Sequence, residues 1–472
     1  MLDGMVKNVK IKYEIMNKKT CIVSCPIACR AGYGARSRDF VRSLIKARPD
    51  WDVKILPQRW GATPQNALIS PMDDDLVSRL VLGQINQKPD VWIQITIPNE
   101  FQPMGNYNIG ITAGIETNQA SPQFIEGCNR MNLTLVSSNH AKSGLEVKYD
   151  MQDEKTQQKV GELGLTKPVE VLFEGFDEQI YDNKLPVEQS VKDVLSDVSE
   201  EFCFLFVGHW LPGECGQDRK NVCAMIYTFL QSFKGKKTAP ALVLKTSLMA
   251  PSYVDTHEIR KRIESLKEQV RKESGESKLP NIYLLSGDLS DIEMNSLYNH
   301  TKVKAHLSFT KGEGFGRPLL EAMISGKPII APKWSGHMDF LDNGFNVLVS
   351  GELEEIHQSA VNDWLIKGSK WFKINISEAA GYMKDIYENY NKYLELSRKN
   401  RKYAKDNFTF DKMTEKLSEY LEKYGADSAP QMVGLKLPTL KKIELPKLNK
   451  VGETNELPKI KLPELKKVDA NG

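Results

Sequence analysis

Two successive series of strand-like runs, each alternating with helix-like stretches, predict an α/β chain made of two Rossmann-like halves. A polar segment at 182–201, rich in Asp, Glu, Ser and Val, separates the series and reads as a linker with a short helix. Late in the second series, a strand, a glycine-rich turn and a helix follow one another at 305–326, which is the order expected of a ligand-binding turn.

The first series consists of apolar or β-branched runs at 20–24, 53–56, 91–95, 109–112, 133–136 and 169–172. The second has runs at 202–207, 242–244, 282–285, 306–309, 329–330 and 346–349. Residues 377–424 read as mostly helical, marked by Met383, Ile386, Tyr387, Tyr390 and Leu394. The expected organisation is a first half at 18–182, a second at 200–375, C-terminal helices at 376–425 and a tail at 430–472.

The tail differs in kind. Leu435-Lys436-Leu437-Pro438 is echoed by Lys461-Leu462-Pro463-Glu464. Proline recurs too often for a helix, and apolar residues are too few for a core, so the tail is expected to be disordered or extended. Nine Lys against five acids from residue 433 onward make it basic. It reads as a solvated linker or as a docking segment for an acidic partner, a sheet edge or nucleic acid.

Bulk composition sets limits. The 472 residues suit about two domains with additions, and 40% apolar with 26% charged residues describes an ordinary globular chain. A net charge of +3 does not select nucleic acid as a partner. Seven cysteines in a chain this long make no disulfide framework, and reduced thiols in a cytoplasmic compartment are expected. No apolar run has the length of a membrane span. The run at 20–28 is not read as a signal peptide, because Pro26 breaks it and a glycine loop follows.

The chemistry concentrates at 312–321, Gly-Glu-Gly-Phe-Gly-Arg-Pro-Leu-Leu-Glu. Bare backbone N–H groups at a helix N-terminus suit an anion such as a diphosphate. Glu313 lies in the turn and Glu321 one to two turns into the helix, so two carboxylates can hold hydroxyls at two points of one extended ligand. Gly32-Tyr33-Gly34 follows the first strand, where backbone can approach a ligand closely, and Arg36 and Arg38 are either solvated or anion-directed. Asp73-Asp74-Asp75 reads as a helix cap rather than a metal motif.

This turn resembles the E-x7-E motif of retaining GT-B glycosyltransferases of the family-4 type, also called glycosyl transferases group 1. The resemblance runs with gaps from about residue 20 to 420. It includes the segments 136–142, 173–177, 286–298 and 334–336. It implies a cleft between the halves, with the donor on the second and the acceptor on the first. It assigns Glu313 to the donor sugar and Glu321 to the nucleotide ribose. Gly314, Phe315, Gly316, Arg317 and Pro318 would line sugar and diphosphate, and the loop holding Gly34 would face the cleft. Lys220, assisted by Arg219, would contact the diphosphate.

The chain departs from the family pattern at three places. His209 stands where Arg is usual, and Asn221 where Gly is usual. The histidine often found after the fourth strand is missing, and Glu116 is the ionisable group there, suited to an acceptor hydroxyl, with His140 as an alternative. The resemblance implies a metal-independent transferase that uses a nucleotide-sugar as co-substrate and has no resident cofactor. The acceptor stays open among glycan, lipid-linked glycan, protein, small molecule and modified DNA base. The alternatives are a sugar-nucleotide epimerase of the same fold, or an inactive scaffold using its basic tail.

Overall fold

The computed structural model describes residues 18–428, except 154, 155, 157, 249 and 250. The Lys/Pro/Leu-rich tail therefore lies outside the described residues. The strands, in chain order, are β1 (Lys19–Cys25), β2 (Trp51–Pro57), β3 (Val91–Ile95), β4 (Tyr107–Thr112), β5 (Leu133–Val136), β6 (Tyr149–Gln152), β7 (Lys159–Leu163) and β8 (Val169–Val171). They continue with β9 (Cys203–Val207), β10 (Ala241–Lys245), β11 (Ile282–Leu285), β12 (Val303–Leu307), β13 (Ile329–Pro332), β14 (Val347–Val349), β15 (Gly351–Glu355) and β16 (Lys370–Ile374).

Two six-stranded parallel sheets result, ordered β2-β1-β3-β4-β5-β8 and β11-β10-β9-β12-β13-β14. Continuous apolar runs such as Ile329–Pro332 are buried along their whole length, because helices cover both faces of a parallel sheet. In each sheet the strand order reverses next to the first strand, between β1 and β3 and between β9 and β12. Such a switch point splays the loops on either side and opens a crevice at the strand C-termini.

Two antiparallel hairpins, β6–β7 and β15–β16, decorate this frame. The second reaches the first half: Asn118 N donates to Lys370 O at 2.9 Å, and Lys370 N returns a bond to Asn118 Oδ1 at 2.6 Å. The helices Ile376–Glu388 and Tyr390–Asn407 follow, and Phe410–Lys423 packs on Gly32–Ala47 of the first half. There Ser43 and Thr414 hydroxyls bond at 3.0 Å, and Arg48 Nε donates to Asp427 Oδ1 at 2.7 Å.

Three sequence expectations are corrected. Arg36 and Arg38 are neither solvated nor aimed at a ligand, being 2% and 8% exposed. Arg36 donates to the carbonyls of Leu172 (2.6 Å) and Phe173 (2.8 Å), and Arg38 to those of Ile27 and Cys29. Each guanidinium satisfies carbonyls that helix packing would otherwise strand. Arg36→Met should therefore lower stability by about 3 kcal/mol, read by thermal or urea unfolding, since it orphans two buried acceptors.

The second correction concerns Asp73. Its side chain makes no cap; it accepts from Ile69 N and pairs with Arg42. The third concerns the thiols: Cys215 and Cys223 form a disulfide, while Cys21, Cys25, Cys29, Cys128 and Cys203 are free and buried. Among the described residues no helix is long and apolar enough to cross a membrane.

Candidate functional site

Because β9 and β12 are neighbours, the loops leaving their C-terminal ends flank one crevice. The loop after β9 ends at Asn221, whose left-handed backbone (φ 54°) starts the helix Val222–Phe233. Asparagine tolerates this conformation, so it serves where glycine would be the usual choice. Asp218 Oδ1 accepts from Asn221 N at 2.8 Å and fixes the turn.

The turn sets Lys220 and Arg219 against the glycine-rich loop after β12. Lys220 Nζ donates to Glu313 Oε1 at 2.5 Å. Arg219 Nη1 donates to Glu313 Oε2 at 3.1 Å and to Gly312 O at 2.7 Å. Its other terminal nitrogen pairs with Glu116 Oε1 of the first half at 2.7 Å. Two cations and two carboxylates thus form one cluster spanning the halves, with side chains only 12–27% exposed. Burial pushes the Glu313 carboxyl up, but Lys220 and Arg219 outweigh it and hold the group down at about 2. For Glu116 burial wins, and its pKa is raised despite Arg219. The environment therefore shifts the two carboxyl groups in opposite directions.

Glycines make this approach possible. A Cβ on Gly314 would stand 1.6 Å from Ala113 O, and one on Gly312 would stand 1.9 Å from Glu116 O. No side chain fits at either place while the halves are closed. Gly314 O also accepts from Ser138 Oγ at 2.5 Å, and Ser335 Oγ accepts from Glu313 N at 3.0 Å. Both serines anchor the turn. Ser138 and Ser335 lie within the segments 136–142 and 334–336 matched by resemblance, which gave neither serine a role at the turn.

Gly316 (φ 92°) begins the helix Arg317–Ile324. Within it Arg317 Nε donates to Glu321 Oε1 at 2.8 Å, and Tyr298 Oη donates to Glu321 Oε2 at 3.1 Å. Arg317 Nη1 also donates to Asp39 of the first-half helix Gly32–Ala47. Burial raises the Glu321 pKa, with Arg317 opposing. Gly316, Pro318, Lys220, Glu313 and Tyr298 share a cavity of about 20 Å³, the room of a single water.

Other candidates sit differently from expectation. Phe315 is 2% exposed and packs on Phe340 at 5.1 Å, so its ring belongs to the core and not to a ligand-facing wall. Arg317 is committed to two carboxylates, so it is not a free phosphate cation. A Cβ on Gly34 would stand 1.9 Å from Cys29 O, so the close approach it permits is to its own loop. His209 Nδ1 lies 3.1 Å from Ser247 Oγ, and burial followed by Lys220 lowers its pKa, so its ring does not replace an arginine charge. His140 meets Trp334 edge-on at 4.6 Å, and burial lowers its pKa to about 4. Among the described residues no group of three or more His, Cys, Asp or Glu is placed to hold a metal ion.

Residues 263–370, which contain both Glu313 and Glu321, match the family model "Glycosyl transferases group 1". No curated protein matches the chain in sequence. Among solved structures, Anabaena HepE, solved with UDP and glucose, is 13% identical, with 86% of this chain and 100% of that chain covered at a TM-score of 0.54. Sucrose-phosphate synthase from Thermosynechococcus elongatus is 12% identical over 87% of this chain and all of its own, at 0.56. A glycosyltransferase from Rickettsia africae is 14% identical over 87% of this chain and 98% of its own, also at 0.56. This chain therefore has the GT-B fold, and a segment of its second half matches the glycosyl transferases group 1 model.

Proposed function

We propose that the chain is a retaining, metal-independent glycosyltransferase of the family-4 type, working in the cytoplasm, that moves a sugar from a nucleotide diphosphate to an acceptor hydroxyl. The observation that carries this is the Arg219–Lys220–Glu313–Glu116 cluster, in which the glycine-rich turn of one half meets an ionisable loop of the other. Arg219 and Lys220 are the cations a leaving diphosphate needs. A diphosphate lying between them takes them from their carboxylate partners. Glu313 then accepts hydroxyls of the donor sugar, and Glu116 is released to face the acceptor.

In the transfer, the acceptor oxygen bonds to the anomeric carbon on the face from which the diphosphate departs. The bond from that carbon to the phosphate oxygen breaks, and the acceptor proton passes to Glu116. The raised Glu116 pKa supports the last step. Backbone and side-chain donors at the turn stabilise the departing charge. Glu321 and Tyr298 hold the ribose end of the donor.

Because HepE was solved with UDP and glucose, UDP-glucose is the first donor to try. Calorimetric titration of UDP-, GDP-, ADP- and dTDP-sugars should find one nucleotide that binds selectively, with Glu321→Ala weakening it by about 10- to 100-fold through loss of charge-assisted bonds. Turnover of the donor to an isomer without an acceptor would favour an epimerase. Binding of none would leave a scaffold.

A further inference from the structure

Arg317 bridges two carboxylates that belong to different halves. Its Nε edge is on Glu321, four residues along the same helix, and its Nη1 is on Asp39 of the helix Gly32–Ala47. The three side chains are 15%, 9% and 18% exposed for Arg317, Glu321 and Asp39. Tyr298 holds the second Glu321 oxygen. A guanidinium has a rigid fork of N–H groups, so its orientation decides how much of a neighbouring carboxylate it covers. With Asp39 drawing one arm away, Arg317 meets Glu321 through Nε alone. Without Asp39, the full fork is free to close on both Glu321 oxygens, the preferred arrangement for such a pair.

We propose that Asp39 and Arg317 are positioning residues that couple nucleotide binding at Glu321 to closure of the two halves. In the closed arrangement Asp39 holds the guanidinium aside, and Glu321 keeps lone pairs for two hydroxyls of the nucleoside. In the open arrangement Arg317 covers Glu321 and competes with those hydroxyls. Linkage makes the effect reciprocal: a nucleotide seated on Glu321 pulls Asp39, and with it the acceptor half, into place. This rests on the donor reading of Glu321 given above.

The test is a double-mutant cycle on the full chain, titrated by calorimetry with whichever of UDP, GDP, ADP and dTDP the wild type binds. Asp39→Asn should weaken that nucleotide by roughly 10-fold, within the range of site-to-site coupling, and Asp39→Glu should restore most of it. In a Glu321→Gln background, Asp39→Asn should have no further effect, because its path to the ligand is gone. Asp411→Asn, which breaks the exposed pair with Lys46, serves as the neutral control. Equal losses in both backgrounds, or no loss at all, overturn the coupling while leaving the donor reading intact. Failure of the wild type to bind any of the four overturns both. Melting curves on each variant separate a merely structural loss, which Asp39→Glu would not selectively rescue.

Discussion

Replacing Lys220 by Met is expected to cut sugar transfer by about 100- to 1,000-fold, the usual consequence of removing one group that stabilises charge on a leaving atom. Lys220 reaches Glu313 at 2.5 Å inside a site with little exposure, and in the proposed reaction its ammonium meets the diphosphate charge as it develops. Methionine keeps the length and volume of the stem and removes only the charge. The difficulty is Glu313: with Lys220 gone, its carboxylate is left with Arg219 as its cation, and breaking a buried pair costs stability of its own. The double variant Lys220→Met with Glu313→Gln removes that complication. Single-turnover release of nucleoside diphosphate should fall in both variants, while only the single variant should melt markedly earlier. Wild-type rates in folded Lys220→Met would remove this residue from the reaction.

Gly314→Ala is expected to lower transfer by about 100-fold or more, through geometry rather than chemistry. The added methyl would lie 1.6 Å from Ala113 O, a backbone atom that cannot rotate away. The two halves would be held apart at the point where Glu313 and Glu116 share Arg219. Reacting atoms displaced by an ångström lose most of the benefit of proximity. Nucleotide binding should suffer less than transfer, since Lys220, Glu321 and Tyr298 all lie on the second half. Gly32→Ala is the matched control, because nothing lies within 4 Å of its added Cβ. Equal loss in both variants would point to a general effect on folding.

The chain shows its architecture more openly than its contacts. Strands such as Ile329–Pro332 and Cys203–Val207 are continuous apolar runs, and such runs are local properties of sequence. The turn at 312–321 is legible for the same reason: its glycines and carboxylates are contiguous. The antiparallel hairpins are not, because β15 reads Gly-Glu-Leu-Glu-Glu and is largely exposed, without the apolar face that marks a strand.

Partners across the fold are hidden for a different reason. Arg36 looks like a surface helix charge until Leu172 and Phe173 are seen to end beneath it. Asp39 carries no motif, and its value comes only from standing opposite Arg317, 278 residues away. Cys215 and Cys223 are eight residues apart across a loop whose path the sequence does not reveal. Gly34 and Gly314 look alike as glycines in ligand-facing turns, yet one accommodates its own loop and the other accommodates the opposite half.

In the proposed function Arg219, Lys220, Glu313 and Glu321 hold and cleave a nucleotide-sugar. The most direct measurement is release of free nucleoside diphosphate when the full chain is incubated with UDP-, GDP-, ADP- and dTDP-sugars, followed by mass spectrometry. One donor should be consumed with release of its nucleoside diphosphate, and this should be lost in Lys220→Met and Glu321→Ala. Binding of no donor and release from none, by a chain shown to be folded, would contradict it.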